Sequence, residues 1–311
     1  MKTATFAPGA RVWLLAAVAI LLQPAAWGQG PAKDRQAEAK AAIEAAQKVQ
    51  VPGPTDVKLA DQAVLKLPKG YVYVPPAEGG RLMAVMGNRV GEGLLGLVFP
   101  DSDEKWLVVM RFLKSGYIKD DDAKDWKADE LLKGLKEGTE EANKERRERG
   151  IPEIEVLDWV EPPSYDAATH RLIWSLSSKQ KVEAAGAERG INYNTYALGR
   201  DGYISMNLVT NMGTIQTDKP SAHRLLAALE YSEGKRYTDF NSATDHIAEF
   251  GLAALIGGVA AKKLGLFALI AVFLAKFFKV ILIAGIALVG VLYKVLGRKK
   301  PADGAPPPPN P

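Results

Sequence analysis

Asp120, Asp121, Asp122 and Asp125 crowd into the stretch GYIKDDDAKDW, residues 116–126, directly after a strand-like run. Carboxylates at that spacing have two uses. Asp121, Asp122 and Asp125 fit D-D-x-x-D, where acids on one helical face hold a divalent cation; an EF-hand is excluded, because its glycine and bidentate glutamate positions hold Asp125 and Leu131. The second use is helix capping: side-chain oxygens accept the free N–H groups of a helix start, where negative charge is favoured by the dipole. A strand before and an amphipathic helix after make capping of that next helix the economical account, with a metal centre of Asp120, Asp121, Asp122 and Asp125 as the competitor.

Other motif matches fail on context. Gly91-Glu92-Gly93-Leu94-Leu95-Gly96 has the dinucleotide pattern, but a helix precedes it and a strand follows, the reverse of what phosphate binding at a helix N-terminus needs. Ser178-Lys179-Gln180-Lys181 fits S-x-x-K without the companion motifs of acyl transfer. His170, His223 and His246 lack ligand spacing, and the absence of cysteine removes disulfides, thiolate ligands and cysteine nucleophiles. Trp106, Trp126, Trp159 and Trp174 read as packing between sheet and helices. No cofactor is implied.

The elements that position these residues follow from periodicity. Asp34 to Val49 is an alanine-rich helix that Val51-Pro52-Gly53-Pro54 stops, a mobile arm spanning residues 29–56. AVLKLPKGYVYVP predicts two short strands around Pro68–Gly70, EGGRLMAVMGN a short helix, and LLGLVFP and WLVVMRFL two more strands. Ala128, Leu131, Leu132, Leu135, Thr139 and Ala142 recur at helical spacing until Gly150 and Pro152. Four strand-like runs follow, EIEVLDWVE, THRLIWSLSS, INYNTYALG and GYISMNLVT, with a turn at Pro162–Asp166 and a hairpin at Gly199–Gly202. Pro220 to Leu229 closes the domain, residues 57–245, as a helix. The fold class is α+β: antiparallel sheet packed with two main helices.

Both ends look different from this middle. Lys2 and Arg11, an apolar run Val12–Leu22 and small residues before Gly28 describe a secretory signal over residues 1–28. From Leu252 to Leu296 the chain is apolar except for scattered lysines. Phe277 to Gly297 is its best single membrane span, preceded by an apolar juxtamembrane helix, residues 246–276, and followed by a basic, proline-rich tail, 298–311. A hairpin of two shorter helices turning at Lys276–Lys279 is the alternative. Ala253, Gly257, Ala261 and Gly265 form a small-residue ladder suited to a partner helix or a second copy of the chain. Ten of the 40 basic residues, but one of the 36 acidic ones, lie in these two ends, so the middle is net acidic and gives no reason to expect nucleic acid.

The pieces GPTDVKLADQAVLKLPKGYVYVP, GLVFP, GYIKDDDA leading into ELLKGL, DWVEPPSYDAATHRLIWSL, NTYALGRDGYISMNLV and the lysine-punctuated tail occur in an order that resembles the bacterial proteins grouped as domain of unknown function 2167, from about Gly53 to Lys300. The resemblance implies a membrane-anchored extracytoplasmic domain with no established activity, and it carries over no site residues. The expected role is therefore a non-enzymatic binding or interaction module, single-pass in a bacterial inner membrane with its domain outside and the lipid bilayer as its first partner. The alternative is a metal-assisted hydrolase of carbohydrate or cell-envelope material using the aspartates at 120–125.

Overall fold

The computed structural model describes residues 32–257 apart from 87, 89, 125, 149, 151 and 183–188. In chain order the elements are α1 (Ala32–Val49), β1 (Val51–Pro52), β2 (Thr55–Leu59), β3 (Ala63–Leu67), β4 (Tyr71–Val74), α2 (Pro76–Val85), β5 (Leu94–Pro100), β6 (Leu107–Leu113), α3 (Ala128–Glu148), β7 (Ile154–Asp166), β8 (Arg171–Gln180), β9 (Gly190–Leu198), β10 (Tyr203–Asn211), α4 (Ile215–Ala227) and β11 (Leu229–Tyr231). An eight-stranded sheet runs β1-β4-β5-β6-β10-β9-β8-β7, and a three-stranded sheet runs β11-β3-β2; every pair is antiparallel. The α+β class is as the periodicity predicts.

Side chains alternate across a strand, so each strand of the large sheet feeds two cores. One face, with Met110, Tyr193, Ile204, Met206 and Leu208, packs on α4 through Ala222, Leu225 and Leu226 and on the small sheet through Leu59, Leu65 and Leu67. The opposite face is covered in two parts. Over β4, β5 and β6 lie α1 and α2, with Ala42, Ile43, Ala46, Leu82 and Met83 against Leu97, Phe99 and Val109. Over β8 and β9 lie α3 and residues 252–256, with Leu131, Leu252, Leu255 and Ile256 against Leu172, Trp174, Leu176 and Tyr196. Between those covers the floor is polar: Asn194 pairs in register with Asn207, whose Nδ2 donates to Asn192 Oδ1 at 3.2 Å.

Several expectations change. The helix predicted as a mobile arm is packed: Ala46 of α1 is fully buried, and Val51, Pro52 and Thr55–Leu59 pair in the sheets, so the domain begins well before residue 57. Alanines are enough for this contact, because small side chains let two helices lie close. The turn placed at Pro162–Asp166 is strand instead. β7 is the edge of the large sheet, and there a proline's missing N–H costs no ladder bond, so the strand runs on through Pro162 and Pro163 with shifts in register. The actual turn is 167–170. The closing helix starts earlier, at Ile215, with Pro220 inside it. The signal region, Phe277–Gly297, Ala261 and Gly265 lie outside the described residues, and among those described no helix is long and apolar enough to cross a membrane.

Candidate functional site

After β6 the chain is drawn against the segment that leads to the apolar tail. Gly116 has φ 87° and sits so close to His246 that a Cβ would lie 2.6 Å from the imidazole Cδ2 and 2.7 Å from the carbonyl oxygen. Only glycine tolerates both the left-handed backbone and the approach. Tyr117 then forms a parallel bridge with Ile247: its N–H donates to His246 O and its carbonyl accepts from Ala248 N–H, both at 2.8 Å. Tyr117 also stacks on Phe240 and Tyr237, with ring centroids 3.8 and 4.4 Å away.

A single 3-10 turn, Asp121–Lys124, follows and shows what the acidic stretch does. Asp122 accepts hydrogen bonds from the backbone N–H groups of Leu252 and Ala253, 3.0 Å each, one at each carboxylate oxygen. It caps the helical turn at 253–257, where the apolar tail starts. A Cβ on Gly251 would meet Asp122 Oδ2 at 2.5 Å, so the carboxylate reaches these amides because residue 251 has no side chain. The capping chemistry is as predicted, but the helix is a different one. α3 begins at Ala128 and carries Asp129 and Glu130 of its own in its first turn.

Two further fastenings hold this segment. Arg200 grips Asp245 in a bidentate pair, Nε to Oδ2 at 2.6 Å and NH2 to Oδ1 at 2.8 Å, while Asn241 N–H and Thr244 Oγ1 also donate to that carboxylate. The Arg200 hydrogen bond, helped by the Asn241 amide, holds the Asp245 carboxyl far below the usual carboxylate range. Beyond it, Leu252 is 0% exposed and Ile256 1%, inserted among Ile118, Leu131 and Trp174.

Asp120 serves a different group. Tyr165, which β7 delivers because it stays extended past its prolines, donates its hydroxyl to Asp120 Oδ2 at 2.7 Å. The same hydroxyl lies 3.1 Å from His170 Nδ1. His170 lies 3.8 Å from Asp120 and stacks on Tyr237 at 4.1 Å. Its φ of 52° is left-handed, an uncommon state for a residue with a side chain and one that clusters at functional sites. Burial, reinforced by Asp120, pushes the Tyr165 phenol well above its ordinary pKa; burial and contact with Tyr117 do the same for Tyr237. Both therefore stay protonated donors, and Tyr237 spends its hydroxyl on Ile118 O at 2.8 Å. The array fixes an imidazole in one orientation.

The four aspartates are thus not brought to one point. Asp120 and Asp122 face separate partners, Asp121 is exposed, and Asp125 lies outside the described residues. Among the described residues no three histidine or acidic side chains are grouped to hold a metal ion. His223 instead meets buried Tyr193, Nε2 to hydroxyl 2.8 Å, beside the Lys219–Glu161 pair on the opposite face of the sheet. Ser178 is in β8, and Lys181, beyond its end, pairs with Glu140 and Glu153. In the glycine run, a Cβ on Gly93 (φ 72°) would lie 2.0 Å from Phe112 O; the loop exists to bring α2 into β5. Of the tryptophans, Trp159 and Trp174 meet edge to face at 6.1 Å under α3, and Trp106 is buried against Tyr71. Sequence reasoning missed Tyr165, Arg200 and Asp245, which are far apart in the chain. For His170 no local pattern marks the left-handed turn.

The fold and these contacts define an antiparallel α+β domain that grips the root of an apolar tail. Residues 51–287 match the family described as Protein of unknown function (DUF2167), and the chain belongs to that family. Comparison with the curated proteins gives no match. Among solved structures, the solution structure of cyanobacterial PsbP (CyanoP) from Synechocystis sp. PCC 6803 is similar at 10% identity and a TM-score of 0.35, over 59% of this chain and 91% of that one.

Proposed function

We propose that the protein is a membrane-anchored extracytoplasmic binding or interaction module, single-pass in a bacterial inner membrane. The observation that carries this is the Asp122 cap on Leu252 and Ala253, together with burial of Leu252 and Ile256: the domain takes the first turn of the apolar tail into its own core. The basic and apolar pattern of residues 1–28, the span Phe277–Gly297 and the Arg298-Lys299-Lys300 cluster supply the export signal, anchor and inside-facing charge. Of the small-residue ladder Ala253, Gly257, Ala261 and Gly265, the first two are packed on the domain, so a second helix would meet Ala261 and Gly265.

The test is alkaline carbonate extraction of membranes from cells expressing the full chain or a version stopped after Gly257. The full chain should stay in the pellet and the shortened one should be released. Release of the full chain would remove the anchor from the account.

A further inference from the structure

The turn at 167–170 and the segment 236–238 form two sides of a groove beside the tail clamp, with Tyr237 shared between the two. Its volume is about 330 Å³, and its lining includes His170, Arg171, Leu198, Tyr231, Arg236 and Tyr237. That is the small end of the range for ligand pockets, ~300–1,000 Å³.

The groove is lined by two arginines and one carboxylate, Glu230, and Asp166 faces Arg171 across the β7–β8 pair. Among the described residues neither the Arg171 nor the Arg236 guanidinium lies within ion-pairing distance of a carboxylate. The acids nearby each have a further partner. Glu230 pairs with Lys66 at 2.6 Å. Asp166 accepts from Thr169 Oγ1 and Ala168 N–H at 2.7 and 2.9 Å. Asp239 accepts from the Arg236 backbone N–H at 3.0 Å. His170 has Nδ1 bound to Tyr165, leaving Nε2 as its other polar position. Leu198, Tyr231 and Tyr237 add apolar and aromatic wall, and the Tyr231 and Tyr237 hydroxyls are turned to backbone carbonyls, of Ala197 and Ile118.

We infer that this groove binds a small organic anion, with a carboxylate or phosphate head on Arg171 and Arg236 and a small apolar body against the wall of Tyr231, Leu198 and the edge of Tyr237. Guanidinium groups suit either head, because their planar donor pairs match two oxygens at once. The inference goes beyond membrane anchoring and does not depend on it.

The chain has three histidines, so imidazole ¹³C NMR of the full chain in detergent gives a signal for the groove, His170, and two controls, His223 and His246. Phenyl phosphate, benzoate and inorganic phosphate are titrated at constant ionic strength, with benzyl alcohol as the uncharged probe. Phenyl phosphate or benzoate should shift the His170 signal saturably while His223 stays fixed, and the tighter of the two identifies the head. Arg171→Gln with Arg236→Gln should weaken that binding about tenfold or more, as loss of charged hydrogen bonds does. No saturable response at His170 from any anion, an equal response to benzyl alcohol, or unchanged affinity in the double variant would overturn the assignment. The wild-type titration decides even where the variant folds poorly.

Discussion

Replacing Asp122 by alanine removes the acceptor for two backbone N–H groups and leaves Leu252 and Ala253 uncapped at the start of the tail helix. Loss of a helix cap costs about 0.5–2 kcal/mol. Both oxygens are used, each at 3.0 Å, and the site is partly buried, so the upper half of that range, about 1–2 kcal/mol, applies. If residues 252–256 open as a unit ahead of the whole domain, this loss appears as amide exchange roughly 5–30-fold faster there. For a domain of this size the global midpoint falls by about 2–4 °C per kcal/mol. The assay is hydrogen–deuterium exchange of the full chain in detergent, wild type against Asp122→Ala and Asp122→Asn. Asparagine keeps an oxygen acceptor and should recover much of the protection. Unchanged exchange at 252–256 in Asp122→Ala, with β9 and β10 equally unaffected, would refute the claim that this carboxylate holds the tail root.

Other consequences follow from the same contacts. The folded Asp245 carboxyl is depressed by Arg200, so its contribution is present above the unfolded value of about 3.9 and is lost as pH falls toward the folded one. Wild type should therefore outlast Asp245→Asn in urea at pH 6, with the gap closing below pH 4; a gap independent of pH would contradict the ion pair. Gly93→Ala forces a side chain onto Phe112 O at a left-handed φ and should cost about 1–3 kcal/mol, whereas Gly138→Ala in α3 meets nothing within 4 Å and should gain about 0.5–1 kcal/mol; denaturant midpoints check both. Asn143 is fully buried and joins α3 to β7 through Nδ2 to Ile154 O and Oδ1 from Ile154 N–H, so Asn143→Ala should cost about 1–3 kcal/mol and loosen exchange in both elements together.

Strands were legible where alternation or an apolar run is strong, as in β5, β6, β9 and β10, and so was the Gly199–Gly202 hairpin. What misled was local grammar overridden by place in the sheet. Pro162 and Pro163 look like a turn, yet an edge strand tolerates them, and that extension is what brings Tyr165 to Asp120. The alanine-rich α1 has too few large side chains to announce a core, yet its alanines pack on α2. Asp122 was recognisable as a capping residue, but its helix begins 130 positions later, and no spacing rule reaches that far. Arg200 and Asp245 share the same difficulty.

The central claim, an exported domain held on a membrane anchor, is tested most directly by labelling single cysteines, since the native chain has none to interfere. Lys69→Cys lies in the β3–β4 turn of the domain, and Asp303→Cys lies beyond the basic cluster. In intact spheroplasts a membrane-impermeant maleimide should label residue 69 and leave residue 303 unlabelled until lysis. Labelling of 303 with protection of 69, or protection of both, would contradict the account.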